Sequence, residues 1–116
     1  MARAALAAVT IPATGYNLTD SSDFATLSTG AGNGKIIDYD AATRIVLKNT
    51  TGGAAVYTVK MVTPATYSAL GLTISDMTVT VAAGKTWELK PHAAMQQADG
   101  KLYIDCDVAG SLLVLK

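Results

Sequence analysis

From Arg44 onward the chain alternates. In "RIVLKN" Ile45 and Leu47 fall on one side and Arg44, Val46 and Lys48 on the other. After "TTGG", the run "AAVYTVKMV" sets Tyr57, Val59 and Met61 against Val56, Thr58, Lys60 and Val62, and "MTVTVAAGKTWEL" sets Met77, Val79 and Val81 against Thr78 and Thr80. A period of two gives a strand one apolar face, whereas a helix would scatter the same residues around its axis. The glycine-bearing breaks read as reversals. Two β-hairpins are predicted: Thr43 to Asn49 with Ala54 to Val62, and Met77 to Val81 with a strand carrying Trp87 and Leu89 beyond the Ala83–Gly84 turn. In "QQADGKLYIDCDVAGSLLVLK" a turn at Asp99–Gly100 precedes Leu102, Ile104 and Cys106, and Ala109 to Ser111 allow a third reversal before Leu112 to Leu115.

Weaker strands are expected at Lys35 to Tyr39 and Ala7 to Ile11, separated by the polar, glycine-bearing "SSDFATLSTGAGNG". Single helical turns are expected in two connections, "TPATYSALGLT" through Tyr67 to Leu70 and "PHAAMQQADG" with Pro91 at its start. Seven to eight short strands joined by turns predict an all-β fold, an antiparallel β-sandwich or jelly-roll-like barrel. At 116 residues, half of them hydrophobic, the chain suits one modest core. Residues 11–116 are read as that single domain. Residues 1–10, alanine-rich and without a long amphipathic pattern, are read as an N-terminal arm that orders against a partner. The apolar run near the N-terminus is only about as long as a minimal secretory-leader core and runs into the β-branched "VTIP", so secretion is not expected. No segment reaches the roughly 18 apolar residues of a bilayer span, so no membrane partner is expected either.

Composition narrows the chemistry. Nine basic residues balance nine acidic ones, which removes the net attraction that a nucleic-acid surface needs. Low charge also suits a surface covered by neighbours. Cys106 is the one cysteine, so an intrachain disulfide and a cysteine-rich zinc site are both out, and between Asp105 and Asp107 its thiol would be held protonated rather than activated. His92, the one histidine, lies in a loop with no nucleophile elbow anywhere in the chain, and reads as a solvated or packing residue. Asp38 with Asp40, and Asp105 with Asp107, have the i, i+2 spacing that could ligate calcium if the two pairs met. Ordinary outward-facing alternation accounts for them equally, and no calcium-loop spacing is present. "GAGNG" contains G-x-G without the strand and helix of a phosphate site and reads as a flexible loop. Trp87, Tyr57, Tyr67 and Tyr103 are the candidates for stacking on sugars, with Trp87 read as a core residue. An enzyme, a cofactor and a metal are therefore not expected.

The run from Ala42 to Lys116 resembles small structural proteins of tailed bacteriophages. The matching positions are Arg44 to Asn49, Val62 to Thr66, Gly71 to Asp76, Thr78 to Gly84 and Ala98 to Asp107. Departures are Ala82, where the family pattern has proline, and Lys90 to Gln97, which lacks the pattern's aromatic and proline-rich loop. The resemblance implies a decoration or cement protein at the capsid surface of the virion, bound to the major capsid protein; self-association, as a homotrimer or another homo-oligomer, is expected to bury further apolar surface. A head-to-tail connector or tail component, and a carbohydrate-binding module on the head surface, are the alternatives. Candidate capsid or subunit contacts are Arg3, Leu6 and Val9 on the arm, Pro64, Tyr67, Leu70 and Leu72 in one loop, and His92 and Met95 in another.

Overall fold

The structure is a computed structural model that describes residues 3–14, 16 and 23–116. Nine strands occur among these residues: β1 (Ala4–Leu6), β2 (Ala25–Thr26), β3 (Lys35–Asp38), β4 (Arg44–Lys48), β5 (Ala55–Val59), β6 (Met77–Val81), β7 (Thr86–Leu89), β8 (Lys101–Cys106) and β9 (Ser111–Leu115). They build two sheets, ordered β1-β3-β8-β5-β6 and β2-β9-β4-β7, and all neighbours are antiparallel except β1 beside β3. The expected all-β sandwich is the fold. One short strand, β2, raises the count to nine; it lies in a segment read as a connecting loop.

The order of pairing has a simple rule. β5 pairs with β6, β4 with β7, β3 with β8 and β2 with β9, four nested pairs like one long hairpin folded at the β5–β6 connection. Rolling that hairpin brings β9 against β4 and β8 against β5. This is the winding of a jelly roll.

The same rule overturns both predicted hairpins, and the third reversal, between β8 and β9, is no hairpin either. β4 and β5, β6 and β7, and β8 and β9 each lie in opposite sheets, so the breaks between them are arches over the core. Alternation plus a glycine turn describes an arch as well as a hairpin, since both leave one face of each strand apolar. Buried Asn49 pins the β4–β5 arch: its side-chain amide donates to the carbonyls of Gly53 (2.7 Å) and Val81 (2.8 Å), while its Oδ1 accepts from the Thr51 amide (2.9 Å).

Ile45, Leu47, Tyr57, Val59, Val79, Val81, Leu102, Ile104, Leu112 and Val114 turn inward from both sheets, joined by Leu27 and Ile37. The predicted apolar faces are those that pack, and each fully buried side chain of this kind contributes roughly 1.5–3 kcal/mol. Tyr57 spans the sandwich. From β5 its hydroxyl shares its one proton between the carbonyls of Lys48 (2.9 Å) and Ser111 (3.0 Å) in the facing sheet, and burial pushes its pKa far up. Val46 departs from its predicted solvent face: with Leu113 and Leu115 it forms a second cluster under Val9, Tyr16 and Phe24. The uninterrupted "LLVL" of β9 is the sequence sign of a strand covered on both faces.

The arm is laid on the domain itself. Its strand is Ala4–Leu6 rather than Ala7 to Ile11, and runs parallel to β3 with Ala5 opposite Ile36. Beyond it, the Val9 amide donates to Val114 (2.7 Å), the Lys116 amide to Val9 (2.9 Å) and the Ile11 amide to Lys116 (3.0 Å). β2 covers only Ser111 and Leu112, which leaves this stretch of chain open to the arm.

Candidate docking site

The β5–β6 connection is the fold of the rolled hairpin. Pro64, with φ −57° and ψ 147°, starts the short helix α1 (Ala65–Ala69), and Gly71, at φ +76°, ends it. That positive φ favours glycine. The Leu72 amide returns to the Tyr67 carbonyl (2.9 Å). At the base of the loop, the Asp76 carboxylate accepts from the Met61 amide (3.0 Å) and from Lys60 (3.0 Å), and Thr63 Oγ1 accepts from the Ile74 amide (2.9 Å). The Met61 amide, and then Lys60, hold the Asp76 carboxyl below the usual carboxylate range.

No residue of α1 is buried. Tyr67 is 48% exposed, Leu70 76% and Leu72 54%, and Pro64 is exposed beside them in sequence. Large apolar side chains clustered on a braced loop mark an interaction surface more than they serve the loop's own stability. The Val62 amide donates to the Ala94 carbonyl (2.9 Å), so the Pro91–Gly100 connection lies against this one. There His92 is exposed and caps a 3-10 turn (Ala93–Met95), its Nδ1 accepting from the Ala94 amide (3.2 Å). The two expected helical turns are both present. Of the loop residues singled out in the sequence, Pro64, Tyr67, Leu70, Leu72 and His92 reach the surface, whereas Met95 is buried at 6% exposure in the domain's own core.

The arm residues turn the other way. Leu6 packs on the main core and Val9 on the second cluster. Arg3 forms a fork on Asp105, with Nε at 2.8 Å from one carboxylate oxygen and Nη2 at 2.7 Å from the other. Its guanidinium lies 4.7 Å from the centre of the Tyr103 ring. The Gly32 (3.0 Å) and Gly34 (3.1 Å) amides complete the shell around the Asp105 carboxylate. Burial pushes the Asp105 pKa up, but Arg3 and the two amides outweigh it, and the carboxyl sits below its ordinary value; Asp105 in turn raises that of Arg3.

Two expectations fail here. Asp105 is not an outward-facing strand aspartate but 3% exposed, and "GAGNG" is not a free loop but the cradle of that carboxylate. Gly34 has to be glycine, because a Cβ would meet the Ile104 carbonyl oxygen at 1.8 Å. The signal was present, since a glycine loop with aligned amides is an anion binder; here the anion is internal.

The aspartates do not converge. Asp38 pairs with Lys101, Asp40 with Lys116 and Asp105 with Arg3, and the described residues hold no group of three or more metal-binding side chains. Cys106 is buried, and burial first, with Asp107 adding, pushes its thiol pKa up. Tyr57 is fully buried, whereas Trp87, read as core, is 50% exposed on the edge strand β7 opposite Leu47. An edge strand has a neighbour on one side only, so half the indole stays uncovered. Among the described residues no helix is long and apolar enough to cross a membrane. The chain matches no protein-family model, no curated protein and no solved structure.

Proposed function

We propose that this protein is a decoration, or cement, protein of a tailed-phage head, which docks on the lattice of the major capsid protein, associates with itself as a homotrimer and stabilises the assembled shell. The observation that carries the reading is the braced β5–β6 loop, which offers Tyr67, Leu70 and Leu72 to a partner. The resemblance of the C-terminal two thirds to phage structural proteins supports it, and the jelly roll is an architecture used by viral capsid domains. A partner that binds only the assembled lattice stabilises that lattice by linkage, and repetition over many sites multiplies a modest contact. The test is sedimentation of heads built from the major capsid protein encoded with this chain. Saturable co-sedimentation is expected, on the order of hundreds of copies per head, with loss of binding in Leu70→Asp. About a dozen copies would favour the connector reading. Folded protein that stays in the supernatant would overturn decoration.

One observation favours a second reading. The half-exposed Trp87 on an edge strand is the kind of flat apolar platform that stacks on sugars, and jelly rolls also serve as lectins. Glycan-array binding that disappears in a folded Trp87→Ala variant would select it.

A further inference from the structure

The arm is fastened at separated points. Of residues 3–10 only Arg3, Leu6 and Val9 turn partly inward, while Ala4, Ala5, Ala7, Ala8 and Thr10 stay exposed. Between Leu6 and Thr10 the arm passes over a cavity of about 340 Å3 that reaches Asp40, Thr43 and Lys116. Each partner comes much later in the chain: Lys35 to Ile37 for the strand, Asp105 for Arg3, Val114 and Lys116 for Val9. The receptor is built independently of the arm. The Asp105 carboxylate is aimed by the Gly32 and Gly34 amides, the Tyr103 ring flanks it, and β3 supplies a strand edge. A fork-shaped, planar cation on a strand is the ligand these groups fit, because a carboxylate takes a guanidinium bidentately while the ring takes its face.

We propose that the β3 edge, the Asp105 cradle and the Tyr103 ring form an acceptor site for an arginine-headed strand, filled reciprocally between neighbouring copies by the arm of a second copy of this chain. The identical arm is the one external strand whose fit is already on view. Pro12 to Asp23 connect the arm to the strand segment that follows, and these twelve residues reach roughly 40 Å when extended, against a domain length of 47 Å. The closed and exchanged forms share the contacts of Arg3, Leu6 and Val9; extending the linker gives up the packing of Tyr16 on the second cluster, which the higher local concentration of a repeating lattice has to offset. The exchange, though not the acceptor site, rests on the proposed role, which sets copies side by side.

Both parts are testable on the full chain without capsids. A fluorescent peptide of residues 2–11 is titrated into folded Arg3→Ala protein, whose own arm is loosened. Binding is expected there, at least tenfold weaker binding to wild type, where the resident arm competes, and at least tenfold loss when the peptide itself carries Arg3→Ala. Equal binding of the two peptides, or none, overturns the acceptor site. Should Arg3→Ala fail to fold, Arg3→Lys, which keeps the charge without the fork, takes its place. For exchange, Ala5→Cys and Ile36→Cys, opposite each other in the register, are combined and oxidised at about 1 mM, near the concentration of tethered neighbours. Wild type with its buried Cys106 is the control. Covalent dimers and larger species on a non-reducing gel are expected; a monomer band alone overturns the exchange, whatever the peptide does. Because no heads are present, neither result depends on whether the protein decorates them.

Discussion

The arm and the β5–β6 loop are both peripheral, and they treat their side chains in opposite ways. The arm turns Arg3, Leu6 and Val9 into the domain and supplies two of the four hydrogen bonds that satisfy a buried carboxylate. The loop uses polar groups at its base, Asp76 and Thr63, to hold apolar ones out in water. The difference separates surface that serves the fold from surface available to something else. Substitutions in the arm's receptor should be read in stability, and substitutions at the loop tip in association.

The largest expected effect is at the cradle. Gly34→Ala drives a methyl into the Ile104 carbonyl and should cost more than about 4 kcal/mol, read as loss of the cooperative thermal transition. A stable Gly34→Ala protein would mean that the cradle is not built as described. Next comes Asp105→Ala, which leaves Arg3 and two amides without their acceptor; about 3 kcal/mol is expected in denaturant titration, since Arg3 keeps some access to solvent. Replacing Arg3 and Asp105 together by Met and Leu should recover much of that loss.

Acid should probe both regions. The Asp105 and Asp76 carboxyls are lowered in the folded protein, so their contribution is present above the unfolded value of about 4 and is lost as pH falls through the lower folded values. Stability should therefore hold from neutral pH down to about 4 and fall below it, less steeply in Asp105→Ala. A fall beginning well above that point would show that other groups control it. Asp76→Ala should cost only about 1 kcal/mol and increase hydrogen exchange locally, at Met61 and along the loop. Leu70→Ser is expected to change stability by less than about 0.5 kcal/mol while weakening attachment to heads, the sharpest form of the contrast. A large stability loss there would mean that the loop tip is packed rather than offered.

Much of the architecture was readable because alternation is a property of single strands. Tyr57, Val59, Val79, Val81, Leu102 and Ile104 announce their inward faces whatever lies beside them. Pairing is not a property of single strands, which is why Arg44 to Lys48 looked like the hairpin partner of Ala55 to Val59 and is instead its counterpart across the core. The strand Ala25–Thr26 was illegible because two residues carry no period, and Val46 was misread because its cover arrives from the first quarter of the chain. At the candidate site, Pro64, Tyr67, Leu70 and Leu72 were legible as apolar residues in a turn-rich stretch. The Arg3–Asp105 pair was not, since nothing local links residues so far apart in sequence.

The nested pairing also sets an order in time. β5 and β6 close the shortest separation in the series, and each outer pair, β4 with β7, β3 with β8 and β2 with β9, closes a longer one. Loop-closure entropy rises with that separation, so the chain should zip outward from the α1 turn. Pulsed hydrogen-exchange labelling would show this as protection of the Ala55–Val59 amides before those of Ser111–Leu115; the reverse order would contradict it. The arm needs both β3 and the far end of β9 before it has anywhere to dock, so during synthesis it emerges ahead of both and settles after them.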